Sequence, residues 1–216
     1  MAITAQKVKE LREKTSTGIM DCKNALIETD GDIDKAIVFL RKRGLATAQK
    51  KAGRVAAEGM IGHYIHGQGS IGVIVEVNCE TDFASRSDEF KVLVKDLAMH
   101  IAAENPEYLR REEVPAEILE KEREIYKDQA RSSGKPDHII DKISEGKINA
   151  FFKTSCLYEQ EFVKDTSITI EQLINNLIGK IGENIQVRRF ARFQTGEGID
   201  KRKIDLAAEV QATLES

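Results

Sequence analysis

Tryptophan is absent from this 216-residue chain, and proline and cysteine occur only three times each. Aromatic residues make up 6% of the total, so any large exposed ring has to be accounted for. No apolar run approaches the roughly 18–20 residues that span a bilayer, so no membrane-crossing helix is expected. Cys22, Cys79 and Cys156 are far apart and fit no zinc spacing. Their neighbours Met20, Val77 and Leu157 suggest small buried hydrophobes, and a disulfide is not expected in a reducing compartment. The sequence leaves an intermolecular pairing open. Of the four histidines, His63 and His66 fall on opposite faces of an extended strand, while His100 and His138 are distant. No metal site is expected from that set. The segment Met1–Lys7 has neither an apolar leader core nor an Arg/Ser-rich transit pattern, so a cytoplasmic location is the expectation.

What is present is charge, distributed unevenly. The formal net charge is −3, which argues against bulk nucleic-acid binding. Residues 1–54 nevertheless carry 12 Lys/Arg against 7 Asp/Glu, and residues 104–146 carry 8 against 12. A basic head and a more acidic middle suit a protein partner or a solvated surface equally well.

The hydrophobic pattern divides the chain into a three-helix unit with its linker (1–54) and an α+β core (55–216). In the first, Val8 and Leu11 lie inward on one helix, and Ile19, Met20, Ala25 and Leu26 lie at helical spacing on a second. Asp30-Gly31-Asp32 breaks the chain, and Asp32 is placed to cap a third helix, which Arg41-Lys42-Arg43 and Gly44 should end. Residues 46–54 read as a linker or a solvated helical connector. Two strand-like runs follow, Met60–His66 and Ser70–Cys79, joined by Gly67-Gln68-Gly69. A helix capped by Ser85 or Ser87 then carries a 3–4 stripe from Phe90 to Ile101, and Asn105-Pro106 stops it. Two narrow-seamed helices over about 115–148, joined at Ser132–Pro136, predict a projecting antiparallel hairpin. The first seam is read as Ile118, Leu119, Ile125 and Tyr126. A further helix spans about 170–182, a β-rich run follows from Ile185 to Phe193, and a last helix is expected over about 200–214. The fold class is α+β, an antiparallel sheet covered on one side by helices.

Several motifs have a plain reading beside the functional one. Gly67-x-Gly69-x-x-Gly72 matches a dinucleotide fingerprint, but a strand follows it where phosphate binding needs a helix N-terminus. The hairpin-turn reading wins. No P-loop lysine motif occurs, so the chain is not expected to hold a nucleotide or other cofactor itself. Arg188, Arg189 and Arg192 among Phe190 and Phe193 could stack on single strands. A half-buried strand explains them more simply, with Ile185, Val187, Ala191 and Phe193 on one face and Arg188 and Arg192 flanking Phe190 on the other. No Ser/His/Asp or Cys/His arrangement stands out, and residues distant in sequence leave one open. Thr81-Asp82-Phe83-Ala84 sits where strand gives way to helix. From the residues alone, Phe83 either packs beneath its own helix or reaches into a partner; buried there it would contribute roughly 1.5–3 kcal/mol.

Two stretches decide between those readings. Val8 to Leu26 and Val77-Asn-Cys-Glu-Thr-Asp-Phe-Ala84 resemble the elongation factor Ts family, guanine-nucleotide exchange factors of the GTPase elongation factor Tu. The resemblance covers nearly the whole chain, extending through Glu145–Phe152, Glu161–Lys164 and Lys180-Ile-Gly-Glu-Asn-Ile185. Ala84 stands where the family usually has Val, and Thr15–Gly18 departs from its commoner Thr-Gly-Ala-Gly. The resemblance implies a ubiquitin-associated-like three-helix domain whose Arg12, Ile19 and Met20 contact the GTPase. It implies that Asp82 and Phe83, within Thr81–Ala84, intrude near the partner's magnesium site. Secondary contacts would come from His66-Gly67 and from Ile181-Gly182. Longer family members carry two copies of the strand module, whereas this chain holds both elements in one, which implies a homodimer. The rival expectation is an adaptor whose helical head binds a different protein.

Overall fold

The computed structural model describes residues 3–15 and 17–199. Three helices open the chain: α1 (Ala5–Thr15), α2 (Ile19–Glu28) and α3 (Ile33–Lys51). Leu11, Cys22, Ala25, Leu26 and Ala36 form their shared core. Asp32 caps α3 as expected, accepting the Lys35 amide at 3.0 Å. The stop at Arg43-Gly44 is not there: α3 runs on to Lys51. Cations followed by glycine imitate a helix C-terminus, but here Gly44 lies inside α3, and its Cα leaves Gly179 no room for a Cβ. Of the two readings for residues 46–54, a linker or a solvated helical connector, the helix holds as far as Lys51, although Ala48 within it is buried in the main core.

The sheet has strand order β1-β2-β5, all antiparallel, with β1 spanning Glu58–His66, β2 Ile71–Cys79 and β5 Ile185–Gln194. The β1–β2 turn at Gly67–Gly69 uses positive φ at Gly67, Gln68 and Gly69, which settles those glycines as a hairpin. Helix α5 (Asp88–Glu104) lies across the inner face, its Phe90, Leu97 and Ile101 fully buried with Val73, Val75 and Val77 of β2. Ser87 caps α5 through the Phe90 amide, and Asn105 ends it in the left-handed conformation. Between β2 and α5 sits the short helix α4 (Asp82–Arg86).

Strand β5 corrects the sequence reading. A bulge between Glu76 and Val77 pairs Val77 with Val187 and Glu76 with Arg189, leaving Arg188 as the extra residue. Alternation therefore reverses at that point. Val187, Phe190 and Arg192 stand opposite the inward-facing valines, whereas Ala191 and Phe193 pair with Ile74 and Gly72 on the open face. Arg188 and Arg189 both bind Glu76, at 3.1 and 2.6 Å, which explains the basic run without nucleic acid.

The helical hairpin is formed by α6 (Ala116–Ser132) and α7 (Asp137–Ser155). Its seam is Leu119, Tyr126 and Ala130 against Ile140, Ile143 and Ile148; Ile118 and Ile125 are exposed, one position off the inward stripe. A small hairpin, β3 (Glu161–Phe162) with β4 (Asp165–Thr169), leads into α8 (Ile170–Ile181). Thr169 and Gln172 cap α8 reciprocally, and Gly182 closes it at φ 79°. The helix expected over 200–214 lies outside the described residues. Among the described residues no helix is long and apolar enough to cross a membrane.

Candidate partner-binding site

The turn after β2 is built to display a ring. Thr81 caps α4, its hydroxyl accepting the Ala84 amide at 3.3 Å. Ala84 points into the core at 5% exposure, while Phe83 stands 82% exposed. The core thus takes the alanine and leaves the phenylalanine outside, which removes the reading of Phe83 as a helix staple. Asp82 pairs with Arg86 one turn on, at 2.9 Å. A carboxylate beside an unburied ring is the chemistry of a contact surface.

Behind the turn lies a polar network. The Thr81 amide and hydroxyl both donate to the Glu183 carboxylate, at 3.0 and 2.7 Å. In the opposite direction the Asn184 amide donates to Glu80 at 2.7 Å, and Arg54 pairs with Glu80 at 3.3 Å. The Asn184 amide holds the Glu80 carboxyl below its usual range, with the Arg54 cation assisting. The Asn184 side chain donates to the Arg54 carbonyl at 2.8 Å. The Cys79 thiol donates to the Thr81 carbonyl at 3.1 Å. Burial, with the Glu183 charge nearby, pushes that thiol up to about 11, so it stays protonated and inert.

Other expected residues fall into two groups. Arg12, Ile19 and Met20 are all exposed on the helical head, Ile19 at 55% and Met20 at 64%. Ile19 and Arg12 line an apolar hollow of about 390 Å³ with Ile3 and Val8, rimmed by Lys9 and Lys23. Arg12 also shares a shallow cavity with Lys180, the residue before Ile181-Gly182. The head and the α8 terminus therefore present adjoining surfaces. His66 is the outlier. It shares a hydrogen bond with the Tyr64 hydroxyl at 3.2 Å, and its ring stacks on Tyr64. Glu58 pairs with Cys79 and His66 with Ile71, so His66-Gly67 and Thr81–Ala84 occupy opposite ends of the hairpin. At about 3.4 Å per residue they stand roughly 27 Å apart along β2.

A sequence model of the family described as Elongation factor TS matches residues 3–177. The chain belongs to the elongation factor Ts family. It is 60% identical over 212 residues to elongation factor Ts of Geobacter sulfurreducens, covering 98% of each chain. It is 58% identical to that of Heliobacterium modesticaldum, over 98% of this chain and 99% of the relative. Elongation factor Ts of Desulforamulus reducens is 56% identical over 99% of both. The whole fold just described is thus the fold of a translation elongation factor of this family.

Sequence reasoning missed Glu183 and Glu80 as parts of the site, because their partners are over 100 residues away. It also missed Lys9 and Lys23, for which the spacing with Arg12 and Ile19 on adjoining helices was an available signal. Among the described residues no group of His, Cys, Asp and Glu is placed to hold a metal ion.

Proposed function

We propose that the chain is a guanine-nucleotide exchange factor that binds elongation factor Tu with GDP and promotes GDP release during translation elongation. It acts in the cytoplasm and by binding alone, with no covalent chemistry, cofactor or nucleic-acid contact of its own. The observation that carries this reading is Phe83, 82% exposed beside Asp82 on a capped turn in a chain of this family. Phe83 and Asp82, flanked by Thr81 and Ala84, are assigned to disturbing the magnesium and phosphate region of the partner. Arg12, Ile19 and Met20 anchor the head, and Ile181-Gly182 and His66-Gly67 supply the remaining contacts.

The energetics require such a division. A GTPase holding GDP at about nanomolar affinity is stabilised by roughly 12 kcal/mol. A single hot-spot side chain is worth about 2–4 kcal/mol, so several contacts must act together. By linkage, the factor weakens GDP as much as GDP weakens the factor.

The same reading has two copies of the chain working as a dimer through residues 55–216, with residues 1–54 as the binding head. Two features support it. The open sheet face exposes Ile61, Ile65, Ile74 and Phe193 at 52–67%, an apolar set that the described residues of one chain leave uncovered. His66 and Phe83 are too far apart in one chain to meet at one point on a partner, whereas a two-fold pair offers a second copy of each.

The test is release of a fluorescent GDP analogue from a bacterial elongation factor Tu with this protein at catalytic amounts. Acceleration that falls in Phe83→Ala while binding persists supports intrusion. A folded wild type that binds a cognate partner without speeding release overturns the reading in favour of an adaptor.

A further inference from the structure

Among the described residues little packs against the Phe83 ring itself. The ring is 82% exposed, and α4 has only five residues, far fewer than an isolated helix needs to persist. Its orientation therefore depends on how firmly the first turn is tied at Thr81. While the Cys79 thiol holds the Thr81 carbonyl, the Thr81 N–H and O–H are tied by the carboxylate of Glu183. It accepts both the amide and the hydroxyl of Thr81, and the same hydroxyl accepts the Ala84 amide. The bonds run in one direction, from the Ala84 N–H through the Thr81 O–H to the charged oxygen, so each polarises the next.

The connection is reciprocal. Glu80, one residue before Thr81, accepts the amide of Asn184, one residue after Glu183. Two Glu-x dipeptides thus exchange carboxylate-to-amide bonds across 102 and 104 residues. Asn184 is 4% exposed, and its side chain holds the Arg54 carbonyl. The turn bearing Phe83, the α8 terminus bearing Ile181-Gly182 and the segment following α3 are therefore fastened at one knot.

We infer that Glu183 is a positioning residue for exchange: by clamping Thr81 it holds Phe83 at a fixed angle to the Ile181-Gly182 loop, so that both enter the partner as one rigid wedge. This rests on the exchange function proposed above. A rigid wedge disturbs a nucleotide site on docking, whereas a swivelling ring docks and gives way. Loss of the clamp therefore lowers the rate reached at saturating factor more than the concentration needed for half of that rate.

The absence of tryptophan from the chain supplies the probe. Phe83→Trp places a single reporter on the tip, and its anisotropy decay reads tip motion with no partner present. In that background Glu183→Ala is expected to add a fast, large-amplitude component, with Glu183→Gln between it and the parent. In the native background Glu183→Ala is expected to lower saturating GDP release tenfold or more and to shift half-saturation less than threefold. Combining it with Phe83→Ala should slow release no further than Phe83→Ala alone. A general loss of folding would instead add to the loss of the ring. If Glu183→Ala does not fold at the assay temperature, the near-isosteric Glu183→Gln carries the comparison. Unchanged anisotropy decay together with full saturating release in the folded variant overturns the clamp. A wild type that does not accelerate release overturns the exchange reading, while the anisotropy arm still decides the clamp.

Discussion

Gly179 of α8 faces Gly44 of α3 so closely that a Cβ on Gly179 would sit 3.0 Å from the Gly44 Cα. The converse is not true, since a Cβ on Gly44 would meet only the Asn175 carbonyl oxygen, at 3.7 Å. Gly179→Ala is expected to destabilise by about 1–3 kcal/mol through overpacking. Gly44→Ala is expected to be neutral or to stabilise by up to about 1 kcal/mol, through helix propensity. Urea unfolding of the two variants checks the asymmetry, and equal losses would show that the crossing is looser than described.

Phe83→Ala should slow GDP release by about 10- to 100-fold, the scale of a 1.4–2.8 kcal/mol contact. Its melting temperature should stay within a degree or so of the parent, because the ring buries almost nothing in its own chain. A large fall in melting temperature would mean that the ring supports the fold.

Ile74→Lys on the open sheet face should give a folded monomer. Ile74 is 52% exposed in one chain, so a lysine there costs little within the protomer, but two facing copies would bury like charges. Sedimentation equilibrium reads the mass directly. An unchanged dimer would move the interface elsewhere, and a monomeric wild type would remove the dimer altogether.

His100 gives a pH dependence with a definite sign. The ring is fully buried; its Nδ1 accepts the Val163 amide at 3.3 Å, so Nε2 carries the proton and donates to Gln160 at 3.0 Å. Burial lowers its basicity below the ordinary value of 6.5, outweighing the Gln160 hydrogen bond. The unfolded chain therefore takes up a proton first as pH falls. The contribution is complete above about pH 6.5 and is lost below it, towards the lowered folded value. Urea midpoints should drop between pH 7 and pH 5, and drop less in His100→Gln. Parallel pH profiles for the two proteins would assign the effect elsewhere.

Local physics was legible in the sequence, and long-range geometry was not. The Asp32 and Ser87 caps, the Gly67–Gly69 turn and the Phe90–Ile101 stripe each depend on residues a few positions apart. The end of α3 was misread because Arg43-Gly44 satisfies a local stop signal, while the packing that overrides it lies in α8. The faces of β5 were misread because the bulge at Arg188 is fixed by its pairing with Glu76 on another strand. At the site, the motif located Phe83 but gave no sign of what restrains it. Neither the Thr81 cap nor its Glu183 acceptor shows in the sequence, where Glu183 is one more charged residue until the chain is folded.

That pairing also sets an order of events during synthesis. The amide and hydroxyl of Thr81 lack their Glu183 acceptor until residue 183 has been made and α8 and β5 have docked. Contacts so distant in the chain form after local helices and hairpins are in place. The protruding ring is therefore aimed only in a finished molecule, and an incomplete chain, though it already carries Phe83, offers the partner a loose end.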